Sequence, residues 1–422
     1  MKKEGKPVDT PMDKLDQAIK EAVRNNGTPS ALEGLNFSNT EIAFVDKTDA
    51  ELKKAYWLFK MMNKPWLVNM GTRMGIPAVR MGLPFVDSMV RKTIFYQFCG
   101  GRTLLESQRT IERLAKHKVS TVLDFGAEGK ETEEDLNRTM NETLRAIDFA
   151  SSISEHAVVS SKFTGMARFG LLEKIQSGAP LTEAEQQEYE NVLKRVDSVS
   201  HAACNKGVML FVDAEESWIQ DPIDDLVNKM MARYNKERPV VFNTYQLYRH
   251  DRLQYLKDSF KMAKEEGFFL GAKLVRGAYM EKERRRAQER GYPSPIYPNK
   301  AATDEAYNAA IRFCLDNFEQ IAVSNSTHNA ESNLLMARII VEKGLKRNHP
   351  HLNFAQLYGM SDNITFNLAD AGFYVSKYVP YGEVRDVIPY LMRRAKENTS
   401  VTGDMSRELS LIYKEMERRG LA

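Results

Sequence analysis

Arg393 and Arg394 are adjacent, with Tyr390 one helical turn before them and Glu397 one turn after. That i, i+3, i+4, i+7 spacing puts four polar side chains on one face of a helix and leaves Ile388, Leu391 and Ala395 to face a core. Two planar guanidinium forks suit a carboxylate better than lysine point charges do, so the stretch from Tyr378 to Asn398 reads as an anion receptor. A solvated helix in which Glu397 merely partners an arginine would show the same residues. The rest of the chain has to decide between the two.

A second set of reactive side chains ends a series of short β-rich runs. In chain order the ends supply Asp124 and Glu128, Lys162, Asp213 with Glu215 and Glu216, Asn243 with Tyr245 and Gln246, Lys273 and Arg276, Thr327 with His328 and Asn329, Gln356 with Tyr358, and Tyr378. Lys162, Asp213, Lys273 and Arg276 sit in otherwise apolar runs, where an unpaired charge would be costly. One charged strand end can simply meet solvent, but eight in succession point to a charged, ligand-filled mouth.

The elements that must position these groups are the runs themselves, at 119–125, 157–163, 207–213, 240–245, 268–276, 321–327, 353–357 and 373–378. Helical patterns separate them, for example at 136–149, 184–204 and 302–318. Parallel strands need helical crossovers, so eight such alternations predict an α/β fold of the (β/α)8 TIM-barrel type, with the strand C-termini converging on one rim. An open doubly wound sheet would bring a glycine-rich first turn, and no GxGxxG joins a strand to a helix here.

The 422 residues accommodate an N-terminal segment and helical arm at 1–117, the barrel at 118–400 and a C-terminal helical tail at 401–422. A net charge of +3 is too small to argue for nucleic acid. Cys99, Cys204 and Cys314 form no CxxC, which suggests neither a disulfide framework nor a zinc site and leaves a reduced compartment as the expectation. Asp213, Glu215 and His328 lack the paired histidines a metal site would favour, so no metal is expected. No Ser/His/Asp motif is present. Nothing reads as a signal peptide, a mitochondrial presequence or a membrane span. Residues 1–40 are expected to be mobile or loosely docked. Arm helices are expected at 54–62, 84–99 and 104–115. Trp57, Trp66, Phe85, Phe95, Tyr96 and Phe98 are expected to pack on the barrel, and Met61, Met62, Met70, Met74 and Met81 to be core filler.

Five motifs occur in order: Val-Asp-Ala-Glu at 212–215, Lys-Leu-Val-Arg-Gly-Ala-Tyr at 273–279, Ser-Thr-His-Asn at 326–329, Gln-Leu-Tyr-Gly-Met at 356–360 and Tyr-Leu-Met-Arg-Arg-Ala-Lys-Glu-Asn at 390–398. Together they resemble the proline dehydrogenase family, over Leu123 to Asn398. The resemblance implies FAD on a (β/α)8 barrel and oxidation of L-proline to 1-pyrroline-5-carboxylate, the first step of proline catabolism to glutamate. It further implies hydride transfer from the proline ring carbon to flavin N5. The chain looks like the monofunctional type, without a fused aldehyde dehydrogenase.

By the same resemblance, Arg393 and Arg394 would clamp the substrate carboxylate. Tyr378, Tyr390, Leu357 and Tyr279 would line the ring pocket, and Glu128 would pair with the first helix arginine to close the site. Lys162, Asp213 and Lys273 would act beside substrate and isoalloxazine. Asp213, Asn243, Lys273, Arg276, Gly277, Ala278, Thr327, His328 and Glu397 would hold the cofactor. The family often has arginine where Lys273 stands and glutamine where Asn243 stands, which puts tuning of the redox potential in doubt and not the chemistry.

No NAD site is visible, so a membrane quinone is the implied acceptor. The basic run at 281–290, with Lys282, Arg284, Arg285, Arg286 and Arg290, could touch anionic lipid or be a solvated helix face. The expected location is cytoplasmic or peripheral on the inner face of a membrane. The bulk of Tyr378 should favour proline over 4-hydroxyproline. The alternative reading is a flavin barrel acting on another cyclic amine or a folate, which would need a wider pocket than Tyr378, Tyr390 and Leu357 suggest.

Overall fold

Each apolar run forms a strand: β1 Val119–Phe125, β2 Val158–Ser161, β3 Met209–Val212, β4 Val241–Gln246, β5 Leu270–Val275, β6 Ile321–Ser326, β7 Leu352–Leu357 and β8 Val375–Tyr381. All neighbours are parallel, and β1 pairs with β8, so the sheet closes into the expected barrel with helices between the strands. The computed structural model describes Leu32 and residues 35–81, 84–126, 130–154, 156–399 and 407–422. Glu128 and residues 1–31 lie outside the described residues.

Two strands run further than their sequence patterns suggest. β4 continues through Gln246, and β8 passes through Pro380 to Tyr381, which puts Tyr378 in mid-strand. Pro380 has no N–H to give, but its carbonyl accepts from Gly100 N at 2.9 Å, so the chain entering from the arm completes the edge there.

Strand parity sorts the barrel interior into two tiers, because alternate side chains face inward. Val122, Val158, Phe211, Phe242 and Ala322 make an apolar floor, with the Phe211 and Phe242 rings 4.9 Å apart. Two residues further along their strands come Asp124, Ser160, Asp213 and Thr244, joined by Lys273 of β5 and Tyr378 of β8. The floor fills the barrel and the tier above it is polar.

The arm comprises α1 (Asp49–Met62), α2 (Pro65–Arg80), α3 (Pro84–Val90) and α4 (Leu104–Ala115). The single helix expected at 84–99 is instead α3, a π-helical turn at Arg91–Phe95 and one short turn at Tyr96–Phe98. Leu52, Phe59, Met62, Phe95 and Phe98 bury themselves with Val387, Ile388, Leu391 and Ala395 of α6 (Val384–Thr399) and with Leu409 and Ile412 of α7 (Arg407–Arg418). The arm therefore packs largely on the two C-terminal helices.

Three expectations are corrected here. Trp57, Trp66, Phe85 and Tyr96 are exposed, and so are Met61, Met70 and Met81, leaving Met62 as the core methionine of that set; the Met74 side chain lies outside the description. The inner faces of these helices already fill the available core, so a second apolar stripe is left outside. In the described part of the segment expected to be loose, Phe37 is buried and its carbonyl accepts from Asn363 Nδ2 at 2.9 Å.

A buried ion cluster locks the arm to the outside of β8. Lys377 meets Asp362 at 2.8 Å and donates to the carbonyls of Leu357 and Met360. Lys47 approaches the same aspartate at 3.8 Å, and Arg113 of α4 joins Glu51 at 2.8 Å and the Tyr358 hydroxyl at 2.7 Å.

Candidate active site

Lys273 is the centre of the polar tier. Gly271, Lys273 and Val275 point into the barrel by strand alternation, and Lys273 Nζ donates to Asp213 at 2.6 Å and to the Tyr378 hydroxyl at 3.0 Å. That hydroxyl donates to Asp213 at 2.6 Å and also meets Ser160 Oγ, which itself lies 3.2 Å from Asp213. Burial resists charge on Asp213, but Lys273 and Lys162 overcome it and hold the carboxyl below its ordinary range. Burial, with Asp213 beside it, keeps the Tyr378 phenol protonated well above its usual value.

Glu215 behaves oppositely. Its carboxylate accepts from Thr164 N at 3.0 Å and Thr164 Oγ1 at 2.5 Å, yet burial dominates and pushes its pKa up to about 7. It pins the turn that follows Lys162.

The loop after β5 supplies the next group. Arg276 donates to Asp304 at 2.8 Å, Thr327 Oγ1 at 2.6 Å and Ser332 Oγ at 3.0 Å, which fixes a guanidinium at the rim. Gly277 has φ 139°, and a Cβ there would come within 2.5 Å of the Tyr248 ring, so only glycine lets the backbone pass. Ala278 and Tyr279 follow along the same cleft.

After β6, His328 Nδ1 lies 2.9 Å from Ser361 Oγ. Burial, and then the charges of Lys377, Arg394 and Arg407, hold the imidazole neutral by lowering its pKa well below the ordinary value. Ser361 has φ 52°, a costly conformation for a non-glycine residue. It is held by the first residues of α7: Arg407 donates to Ser361 Oγ at 2.7 Å and to the His328 carbonyl at 3.1 Å, and Glu408 accepts from Ser361 N at 3.0 Å.

The fourth wall is α6, whose apolar stripe is buried against the arm. Its other face brings Tyr390, Arg393, Arg394 and Glu397 to the cleft, with Arg394 and Glu397 2.7 Å apart and the Arg394 guanidinium 5.2 Å from the Tyr390 ring centre. The cleft encloses about 1850 Å³ of empty space, open solvent included. This face of α6 therefore borders the cleft, and Glu397 partners Arg394 within it.

Lys162, Asp213, Lys273, Arg276, Gly277, Ala278, Tyr279, Thr327, His328, Leu357, Tyr378, Tyr390, Arg393, Arg394 and Glu397 all line this one cleft. Asn243 does not. It is buried outside the strand wall, where Nδ2 donates to Asp224 at 2.9 Å beside Arg252. Alternation along β4 turns Phe242, Thr244 and Gln246 inward and Asn243 away. Glu128 lies outside the described residues. Sequence reasoning misses Ser160, whose position two residues beyond Val158 is the signal that could have found it. It also misses Arg407, for which no local pattern exists.

The proline dehydrogenase family model matches residues 107–407. Proline dehydrogenase 1, mitochondrial, from Caenorhabditis elegans is 34% identical over 82% of this chain and 57% of its own length. Hydroxyproline dehydrogenase from Xenopus laevis is 28% identical over 91% of this chain and 90% of its own. The chain thus spans little more than half of the nematode relative. The crystal structure of proline utilization A from Bdellovibrio bacteriovorus inactivated by N-propargylglycine superposes with a TM-score of 0.66 at 19% identity, covering 93% of this chain and 40% of that one. That likeness is one of fold.

Proposed function

Since the chain belongs to the proline dehydrogenase family, we propose that it oxidises L-proline to 1-pyrroline-5-carboxylate with FAD and passes the electrons to a quinone. The observation that carries this reading is a single cleft bounded by the Arg393 and Arg394 face of α6 and by the Lys273, Asp213 and Tyr378 cluster.

The residues present fit a flavin dinucleotide. Arg276, Lys300 and Arg407 bring cations that suit a diphosphate, and the buried Tyr390 hydroxyl has no hydrogen-bond partner among the described residues. Arg276, Gly277, Ala278, Thr327, His328, Glu397 and Arg407 would hold the cofactor, and Lys273 would face its redox-active ring. A bound flavin supplies the two-electron acceptor for the hydride that leaves the ring carbon next to nitrogen.

Arg393 and Arg394 would clamp the carboxylate while Leu357, Tyr279, Tyr378 and Tyr390 exclude water around the ring, a two-point hold that fixes which carbon faces the acceptor. Asp213, kept ionised by its lysines, supplies a counter-charge for the substrate ammonium. A lipid-soluble quinone acceptor implies a protein peripheral to a membrane. Among the described residues no helix is long and apolar enough to cross one.

The test is the visible spectrum of the purified protein before and after anaerobic L-proline. Flavin bands that bleach support the proposal. Flavin bands that persist would keep the cofactor and discard the substrate, and a colourless protein that FAD cannot reconstitute would remove the reading.

A further inference from the structure

Three consecutive arm helices each turn an i, i+4 apolar pair outward: Trp57 and Met61 on α1, Trp66 and Met70 on α2, Phe85 and Met89 on α3. Trp57, Trp66 and Phe85 are 59%, 63% and 80% exposed, and Met81, between α2 and α3, is exposed as well. Single exposed apolar residues are ordinary, but a series of large ones on successive helices that contact one another marks a contact surface.

Charge selects the partner. Residues 49–92 contain eight Lys or Arg and three Asp or Glu, a net +5 in a chain whose total is +3. Lys53, Lys54 and Lys60 on α1 and Arg73 on α2 are exposed, as are Lys64 between those helices and Lys92 just after α3. The basic and aromatic groups interleave: Lys54 Nζ lies 3.8 Å above the Tyr96 ring, and Lys60 Nζ 5.0 Å above Trp57. Tryptophan, phenylalanine and methionine rimmed by lysine and arginine are the side chains of a helix surface that lies in a bilayer interface without spanning it.

The basic run on α5 (Met280–Arg290) is a poorer candidate. Lys282 pairs with Glu216 and Arg286 with Glu173 at 2.6 Å, and Arg284 donates to the Tyr297 carbonyl at 3.0 Å, so two of its five cations are ion-paired within the fold and a third is tethered.

We propose that the outward face of α1–α3 docks on an anionic phospholipid bilayer. The inner face of the arm packs on α6, so the docked surface lies directly behind the helix that carries Arg393 and Arg394. This inference stands on exposure and charge and does not depend on which substrate is oxidised.

The test uses the full chain and sedimentation with sucrose-loaded vesicles of phosphatidylcholine, with and without phosphatidylglycerol. Wild type is expected to partition onto the phosphatidylglycerol vesicles at least tenfold more strongly than onto phosphatidylcholine alone, with a blue shift of tryptophan emission. Trp66→Glu/Phe85→Glu, and separately Trp57→Glu, are expected to lose at least tenfold of that binding while circular dichroism and any bound chromophore match wild type. Arg284→Gln/Arg285→Gln/Arg290→Gln is expected to keep it. No vesicle binding by wild type, loss of binding in the α5 variant instead, or a wild-type dimer that Trp66→Glu/Phe85→Glu converts to a monomer would each overturn the proposal.

Discussion

Two buried lysine–aspartate pairs sit on opposite sides of the barrel wall. Lys273 and Asp213 meet at 2.6 Å inside it, and Lys377 and Asp362 at 2.8 Å outside, where Lys377 is the neighbour of Tyr378 in β8 and so points the other way. Both aspartates are ionised for the same reason, since burial opposes their charge and a lysine overcomes it. The surroundings differ. The outer pair is closed off by two backbone carbonyls and by Lys47 from the arm, whereas the inner pair is completed by side chains that border an open cleft. The same interaction serves once as a rivet and once as a group a ligand can engage, and one step along a strand separates the two uses.

The largest expected effect tests the rivet. Lys377→Met should cost about 3–5 kcal/mol of stability by stranding Asp362, read as a fall in Tm, because losing one partner of a buried pair leaves an uncompensated charge. Lys273→Met should cost only about 1–2 kcal/mol, since Asp213 retains Tyr378, Lys162 and the cleft, while lowering kcat/KM for L-proline by about 100-fold. Equal stability losses in the two variants would break the comparison.

Glu215 sharpens it, as a buried carboxyl whose hydroxyl and amide partners fail to offset burial. Its folded pKa is raised from 4.5 to about 7, so its favourable contribution is complete below pH 4.5 and is lost as pH rises through about 7. Denaturant titrations should show a decline of about 3 kcal/mol across that window. Glu215→Gln should flatten it; an unchanged slope would reassign the cause. The depressed carboxyls Asp213 and Asp362 act in the opposite sense, contributing stability that disappears only in acid below their ordinary range.

Two smaller effects probe the mouth. Arg393→Met should raise KM for L-proline about 30-fold and leave flavin content within error, because a charge-assisted pair to a carboxylate is worth about 2 kcal/mol; an unchanged KM would remove the clamp. Tyr378 is held by three partners and cannot swing aside, so kcat/KM for proline should exceed that for trans-4-hydroxy-L-proline by about tenfold, and Tyr378→Phe should narrow the ratio. Equal values for the two substrates in wild type would refute the role.

Most of the barrel could be read from the chain because its signals are local. Val119–Phe125 is rich in β-branched and apolar residues and stops at Gly126, and it forms a strand over that whole range. The spacing of Tyr390, Arg393, Arg394 and Glu397 likewise survives folding, because α6 buries the complementary stripe. Asn243 was misplaced because alternation along β4 gives the inner face to Phe242, Thr244 and Gln246 and turns Asn243 away, whereas the family motif alone carries no facing. Arg407 acts on Ser361 across a long stretch of chain, and nothing near either residue announces the contact. The exposed aromatics of the arm failed differently, since apolar character says that a surface wants covering but not what covers it.

Closure of β1 against β8 joins Val119 to Val375, which places the two ends of one ladder at opposite ends of the barrel's synthesis. At about 5–20 residues per second on the ribosome, β1 waits roughly 13–50 s for its partner. The arginines of α6 and Arg407 emerge later still. The sheet can close once β8 has emerged, but the cleft, whose rim includes Arg407, is complete only after residue 407 has left the exit tunnel. A ligand of this cleft would be loaded after synthesis, so its supply should change how much completed protein survives and not how fast it is made.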